Sequence, residues 1–294
     1  MNYGAIYYGD GTPATDALVR ERFTHMLTAP KDVPSNHPSR FPGLARFGYS
    51  TTDSGGGMRE WLERNGWLRE DPWAFWPDGT PVMVYGAQMR HAWNPWCTGW
   101  NSLAFYSQVG GLYVDNCAAE LWNTGEEPWA PAGYAECVRD LLLSLGLPIA
   151  RNISSDWHST FEASGERVTL FCENAPDMYG PVPVGVAEMR RRVLACDGPV
   201  WIAPGFSRAP SAEDAQLAAL ALYLLVRRED TVLGFTHSAS HAASHPDWMR
   251  QAWHPMMEEV RTWGEPEGEP FLHSEGFWIR IYERGVVSLR DRTQ

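Results

Sequence analysis

Lysine is almost absent from this chain of 294 residues: Lys31 is the only one, and arginine supplies 23 of the 24 basic residues. The 36 acidic residues outnumber them, for a net charge of −12. Nucleic-acid backbones and anionic membrane surfaces are bound through clustered positive charge. The composition therefore argues against a nucleic-acid partner and against a membrane partner.

Paired cysteines and long apolar runs are also missing. The five cysteines are odd in number and contain no CxxC pair, which fits neither a disulfide framework nor a zinc knuckle and favours a reducing compartment. The longest apolar run, residues 217–226, is too short to span a bilayer. No signal peptide is visible, so we expect a cytoplasmic protein, with release by lysis or association with a virion as alternatives. The oligomeric state is not indicated.

Short apolar segments alternate with longer helical or loop stretches. Segments of this length without polar alternation are typical of strands buried on both faces of a parallel sheet. They are residues 5–9, 24–29, 44–49, 111–114, 147–150, 168–172, 199–203 and 232–236. Helices are predicted at 132–145, 186–195 and 212–228, the last capped by Ser211. Eight such strands predict a (β/α)₈ TIM barrel. A doubly wound open sheet is the second choice, and no glycine-rich nucleotide-binding motif supports it.

The end of the chain has a different pattern. Residues 276–289 indicate two strands around a turn at Glu283-Arg284-Gly285, a short C-terminal β-hairpin appended to the barrel. With no linker or repeat in view, we predict one domain over residues 1–294. The barrel takes up about 4–262 and the appendage about 270–290.

Polar residues follow several predicted strands, where barrel enzymes place their active sites. The fourth segment ends in Asp115 and the sixth in Glu173. Two carboxyl groups across a cleft are what glycoside hydrolysis needs, one as acid and one as nucleophile or base. The alternative is structural: Asp115 caps a helix and Glu173 pairs with an arginine such as Arg151. Predicted sugar contacts at the same strand ends are Asn116, Arg151, Asn152, Asn174 and His237.

Several motifs resemble those of barrel-type glycoside hydrolases. In order they are Trp67-Leu68-Arg69, Trp76-Pro77-Asp78-Gly79-Thr80-Pro81-Val82, Trp93-Asn94-Pro95-Trp96 and Gly110-Gly111-Leu112-Tyr113-Val114-Asp115-Asn116. Both ends of the chain are also similar to those families. The similar parts are the first segment, Ile6-Tyr7-Tyr8-Gly9, and residues 264–266, 278–282 and 285–287 near the end. The order of motifs resembles the α-1,4-polygalactosaminidase-like group and related families known only as hypothetical glycosyl hydrolases.

This resemblance implies a carbohydrate substrate and matches Asp115 and Glu173 to the family's acidic residues. By analogy with barrel glycosidases, Asp115 is assigned as nucleophile and Glu173 as acid/base in a retaining mechanism. The chain departs from the pattern at its third segment, which lacks a carboxylate at its tip. It departs again at its end, where Val287-Ser288-Leu289-Arg290 replaces an asparagine-containing motif.

Tryptophan is unusually frequent, with 15 residues, and seven of them lie between positions 61 and 100. Indole rings pack well against the apolar faces of sugars. The alternative is core packing between helices, which we expect for about half of the seven. Trp73 and Trp76, flanked by prolines, are the predicted sugar platforms, with Tyr8 and Tyr49 as further contacts, whereas Trp201 is predicted to lie in the core.

Two other functions are compatible with the same residues. A catalytically inactive barrel that binds carbohydrate or serves a structural role, for example on a phage particle or cell surface, would use the same tryptophans. A metal-dependent hydrolase would use His237, His241 and His245, spaced four residues apart. Because no further ligand is evident, we predict neither a metal nor a cofactor.

Overall fold

The computed structural model describes the following parts of the chain, and all structural statements refer to them. They are residues 1–6, 8, 11–28, 39–51, 83–84, 87–88, 110–115, 148–152, 169–173, 185–203, 211–235 and 253–290.

Eight parallel strands form one curled sheet in a mixed α/β fold, and their pairing closes into a ring. In ring order they are β1 (Asn2–Ala5), β2 (His25–Thr28), β3 (Ala45–Thr51), β6 (Leu112–Asp115), β7 (Ile149–Asn152), β8 (Thr169–Glu173), β9 (Val200–Ala203) and β10 (Val232–Phe235), which pairs with β1. The short strands β4 (Met83–Val84) and β5 (Ala87–Gln88) form a separate antiparallel pair. Every strand of the ring pairs with two neighbouring strands. An open doubly wound sheet, the second choice from the sequence, would have two edge strands with a single neighbour each.

The predicted strand segments agree with the observed strands to within a few residues. The largest difference is at the first strand, which is predicted at residues 5–9 and observed at Asn2–Ala5. Ladder hydrogen bonds nevertheless continue past it, since the N–H of Ile6 donates to Phe235 O and that of Tyr8 to Leu27 O. The strand therefore begins earlier than its apolar pattern indicates, and its pairing extends to residue 8.

Local signals explain where the helices begin. The helices are α1 (Pro13–Arg22), α2 (Val186–Ala195), α3 (Ala212–Val226) and the single turn α4 (Met256–Glu259), which continues as a 3₁₀ helix over Val260–Thr262. Thr12 caps α1, which the sequence analysis did not predict, by accepting from Thr15 N. The predicted cap of α3 is confirmed, since Ser211 accepts from Asp214 N. Helix α2 matches its predicted bounds and α3 ends two residues early. The predicted helix at 132–145 lies outside the described residues.

Alternate residues of the strands pack into two separate cores. One core fills the ring and includes Ile6, Leu27, Phe47, Tyr113, Ala150, Trp201, Ala203 and Val232. Trp201 of β9 contacts His25 of β2 and Phe47 of β3, which lie across the ring. A methyl group on Gly4 would come within 3.2 Å of the Trp201 ring, so a glycine leaves room for this indole. The prediction that Trp201 is a core residue is confirmed, at 1% exposure.

The second core lies outside the ring, between strands and helices. It includes Tyr3, Met26, Cys172, Ile202 and Leu233 together with the apolar faces of α2 and α3. Cys172 and Cys196 are both buried. The other three cysteines fall outside the described parts of the chain.

A three-stranded antiparallel sheet follows the ring. Its strands are β11 (Phe271–Leu272), β12 (Phe277–Tyr282) and β13 (Gly285–Arg290), and β12 lies between the other two. The predicted hairpin is confirmed, and β11 is an addition that the sequence did not indicate. Tyr282 and Val287 belong to the outer core, so this sheet is packed on the helices of the ring.

Candidate active site

The two predicted catalytic carboxyl groups end neighbouring parts of the same sheet. Asp115 is the last residue of β6 and Glu173 is the last residue of β8, with β7 between them. Because all strands of the ring are parallel, their carboxyl ends meet at one mouth. The backbones of two strands separated by a third lie roughly 10 Å apart. The structure therefore brings these two positions to the same quarter of the mouth.

Strand alternation assigns these positions to the inner face of the ring. Asp115 comes two residues after Tyr113, which belongs to the inner core. On β8, Cys172 belongs to the outer core, so the neighbouring position of Glu173 falls in the inner series. Both carboxylate positions thus belong to the series that lines the ring.

Two predicted sugar contacts share that placement, and one does not. Asn152 comes two residues after Ala150, and Tyr49 two residues after Phe47, both of which belong to the inner core. Arg151 occupies the alternate position, on the side of the sheet that faces the helices. The inner positions of β3, β6, β7 and β8 form a continuous arc, since these strands are consecutive neighbours in the ring.

The structure places Tyr8 inside the protein. Its side chain is 1% exposed, and its hydroxyl donates to Asp16 Oδ1 at 2.5 Å. Burial, followed by this hydrogen bond, raises the pKa of the Tyr8 phenol. In this position Tyr8 is a member of a buried polar cluster and does not open to the mouth.

The remaining predicted contacts lie outside the described residues. These are Trp73, Trp76, Asn116, Asn174 and His237, together with the other histidines of the proposed zinc site and all seven tryptophans between positions 61 and 100. Within the described ranges, no group of three His, Cys, Asp or Glu residues is placed to hold a metal ion.

A titratable group that the sequence did not suggest lies at the other end of the ring. His25 begins β2, contacts the Trp201 ring edge to face at 5.2 Å, and shares a hydrogen bond with Thr24 Oγ1 at 2.7 Å. Burial lowers the pKa of His25 to about 4, so the imidazole is neutral at pH 7. Its position at the amino end of the strands separates it from the mouth.

The sequence also gave no indication of a partner for Asp16. An acidic residue in the first turn of a helix is ordinary because it complements the helix dipole. Its partners, Tyr8 and Arg40, are 8 and 24 residues away in the chain.

Comparisons with known proteins add a fold-level likeness. No protein-family model matches the sequence, and no curated protein matches it significantly. The glycoside hydrolase domain of PelA from Pseudomonas aeruginosa is similar in structure, with a TM-score of 0.51 and 14% identity, covering 83% of this chain and 96% of that one.

Two further solved structures are less similar. The BexX/CysO complex of Amycolatopsis orientalis has a TM-score of 0.43 at 16% identity, with 91% of this chain and 94% of that chain covered. Isomaltulose synthase (PalI) from Klebsiella sp. LX3 has a TM-score of 0.46 at 10% identity, with 89% and 70% covered. Both scores are too low to carry an argument.

The likeness to the PelA domain concerns the arrangement of the backbone. It shows a fold similar to that of this domain, and at 14% identity it transfers no catalytic residue. As for membranes, the helices that the structure describes are all too short or too polar to cross a bilayer.

Proposed function

We propose that this protein is a glycoside hydrolase that cleaves an oligo- or polysaccharide at the mouth of a (β/α)₈ barrel. The closed ring of parallel strands, the helices that follow β1, β8 and β9, and the likeness to the PelA domain support this architecture. The barrel and the C-terminal sheet then form the single domain expected from the sequence.

One observation carries the proposal. Asp115 and Glu173 both end ring strands, at inner positions, with a single strand between them. In a glycoside hydrolase-like fold this is where a pair of carboxyl groups can face one bound sugar. An inactive barrel that binds carbohydrate at the same mouth is the alternative function, and the test below distinguishes the two.

The proposed mechanism is retaining, with two displacements at the anomeric carbon. The Asp115 carboxylate attacks this carbon while Glu173 donates its proton to the departing glycosidic oxygen, which leaves a glycosyl ester on Asp115. Glu173 then takes a proton from water, and this water attacks the same carbon and releases Asp115. Retention needs the carboxyl groups about 5–5.5 Å apart and inversion about 6.5–9.5 Å. Side chains converging from backbones roughly 10 Å apart can reach the shorter separation.

Sugar contacts are proposed from the same arc. Tyr49 on β3 and Asn152 on β7 flank the position of Asp115 on β6. Trp73, Trp76, Asn116, Asn174 and His237 remain proposed contacts from the sequence. Arg151 also remains a proposed contact, whereas Tyr8 is left out because its side chain is buried. The net charge of −12 favours a neutral or cationic glycan over an acidic one.

A polysaccharide panel tests the proposal. The wild type, Asp115→Asn and Glu173→Gln are assayed on soluble starch, dextran, β-glucan, chitosan and polygalacturonate, with Glu275→Gln as an exposed control on the C-terminal sheet. We expect wild-type hydrolysis of a neutral or cationic polymer. Loss of the acid should reduce kcat by roughly 10²- to 10⁴-fold, and loss of the nucleophile by at least as much. The control should be unchanged.

The two carboxyl groups can be distinguished by rescue. With an activated aryl glycoside as substrate, azide should restore turnover by both alanine variants. Proton NMR should show a glycosyl azide of inverted anomeric configuration from Asp115→Ala and one of retained configuration from Glu173→Ala. Undiminished hydrolysis in both Asp115→Asn and Glu173→Gln would overturn the residue assignment. Polymer binding without hydrolysis by the wild type would favour the inactive barrel.

A further inference from the structure

Thr51 ends β3 at the register position of Asp115. Strands β3 and β6 pair in parallel, and the last two residues that they pair are Thr51 and Asp115. Two residues earlier on each strand, Tyr49 pairs with Tyr113, which belongs to the inner core. Residues two apart on a strand share a face, so Thr51 and Asp115 both belong to the inner series. Neighbouring strands lie roughly 5 Å apart, which makes these two positions direct neighbours.

Only one of the two carboxyl positions has this hydroxyl beside it. Strand β3 pairs with β2 and β6, whereas β8, which ends in Glu173, pairs with β7 and β9. The position on β9 in register with Glu173 is Ala203, a buried member of the inner core. Asn152 ends β7, between the two carboxyl strands, and so does not distinguish them. Thr51 therefore makes the surroundings of the two carboxyl positions unequal.

A hydroxyl group at such a position acts on the charge of a carboxyl group. Threonine has one O–H donor, and an ionised carboxylate is only an acceptor, so a hydrogen bond between them favours the ionised state. Such a bond lowers the pKa of the carboxyl group and fixes the direction of its oxygens. A retaining glycosidase needs an ionised nucleophile and a protonated acid. The hydroxyl beside Asp115 and the methyl group beside Glu173 fit these two states.

The charged and titratable groups around this position lie on three strands. Among the described positions in the carboxyl half of the ring, the inner series includes Glu173 on β8 and the phenols of Tyr49 and Tyr113 on β3 and β6. Arg151 on β7 belongs to the outer series. The phenols are neutral at pH 7, whereas an ionised Glu173 raises the pKa of Asp115. A donor from β3, on the side away from β8, opposes this effect.

We propose that Thr51 is a positioning residue for Asp115, whose carboxylate it keeps ionised and directed towards the bound sugar by a hydrogen bond from its hydroxyl. This inference rests on the proposed function. Thr51 touches no reacting atom in this scheme, because it acts only through Asp115. Its loss should therefore change the pH range over which the protein is active.

The pH profile of kcat/KM tests this role on the polymer that the wild type hydrolyses best in the panel above. Its acidic limb reports ionisation of the nucleophile, and its basic limb reports loss of the proton from the acid. Thr51→Val removes the hydroxyl and keeps the branched shape. It should move the acidic limb up by about one pH unit and leave the basic limb in place.

Two further variants serve as matched controls. Thr51→Ser keeps a hydroxyl and should restore the acidic limb of the wild type. Ser50→Ala also removes a hydroxyl from β3, but Ser50 is in register with Val114 and belongs to the outer series, so this variant should keep the wild-type profile.

A merely structural role would give a different profile. Thr51→Val would then lower kcat/KM by the same factor at every pH, with the folded fraction followed by circular dichroism. This result, or an acidic limb that does not move, overturns the inference. Where Thr51→Val does not fold, Thr51→Ala carries the same comparison, since it also lacks the hydroxyl.

A direct titration separates this inference from the hydrolase proposal. In protein labelled with carbon-13 at the aspartate carboxyl groups, the signal of Asp115 is identified by its loss in Asp115→Asn. Its pKa is then measured by NMR in the wild type, Thr51→Val and Ser50→Ala. A pKa that rises in Thr51→Val alone supports the role of Thr51, even where the wild type hydrolyses no polymer and the hydrolase proposal fails. Equal pKa values in all three proteins overturn it, with or without hydrolysis.

Discussion

The described tryptophans show how one residue type can serve packing without any ligand. Trp201 is buried inside the ring, and Trp253, Trp263 and Trp278 are partly buried against the outer core. Trp263 packs so closely on Gly285 that a methyl group at this glycine would overlap its ring. All four therefore contribute to packing, and the core prediction made for Trp201 is confirmed. The seven tryptophans between positions 61 and 100 keep the sugar-platform interpretation as a prediction.

At the residue scale, His25 predicts how stability depends on pH. The folded protein holds the pKa of His25 at about 4, below the ordinary 6.5, so only the unfolded chain binds this proton between those values. The stability that neutral His25 confers is complete above pH 6.5 and is lost as pH falls towards 4. The loss should total roughly 3 kcal/mol.

Urea unfolding at pH 7.0, 5.5 and 4.5 measures this contribution. His25→Asn should flatten the plot of unfolding free energy against pH between pH 6.5 and 4 relative to the wild type. Comparing variants cancels the titration of the carboxylates. A His25→Asn curve parallel to the wild type would show that this imidazole does not titrate in the folded protein as described.

At the scale of elements, an arginine from the C-terminal sheet caps a helix of the ring. The Nη1 of Arg280 donates to the carbonyls of Leu224, Leu225 and Arg227 at the end of α3, at 2.8–3.3 Å, and its Nε donates to Gly268 O. These are the carbonyls that a helix leaves without internal partners. Tyr282 adds a hydrogen bond to Leu224 O at 2.6 Å.

Replacement of Arg280 by methionine should therefore lower the free energy of unfolding by about 2–4 kcal/mol, because buried carbonyls lose their donors. Arg280→Lys should recover only part of the loss, since an ammonium cannot reproduce the planar fork. Chemical denaturation measures both effects, with exposed Arg284→Met as the control. A loss for Arg280→Met no larger than for Arg284→Met would contradict the capping role.

At the scale of the whole molecule, the shared core predicts that the ring and the C-terminal sheet unfold together. Tyr282 and Val287 of the sheet pack in the same cluster as α2 and α3. Native-state hydrogen exchange in increasing urea should give the amides of β12 and β9 the same opening free energy. Opening of β12 at a much lower free energy would show two independent units.

Two adjacent valines provide the matched variants for this experiment. Val287 is 6% exposed and Val286 is 58% exposed. Val287→Ala should lower the opening free energy of both strands equally, by about 1–2 kcal/mol for two buried methyl groups. Val286→Ala should change neither.

Most of the strands could be predicted because a buried strand requires a run of apolar residues, which is visible in the sequence. All eight ring strands, helix α2, the Ser211 cap and the final hairpin follow from apolar runs, periodicity and turn residues. Strand β11 has only two residues and is too short to give a pattern. Arg280 and Asp16 gave no signal because their partners lie far away in the chain.

The sequence by itself determined the order of the eight ring strands and the positions of helices α2 and α3, and it placed Asp115 and Glu173 at strand ends, since these are local consequences of which residues are buried. Only the tertiary structure decided that the strands close into a ring, that one strand separates the two carboxyl positions, and that Tyr8 faces Asp16 inside the protein. Closure and side-chain pairing depend on contacts between distant residues, and no local pattern of polarity records them.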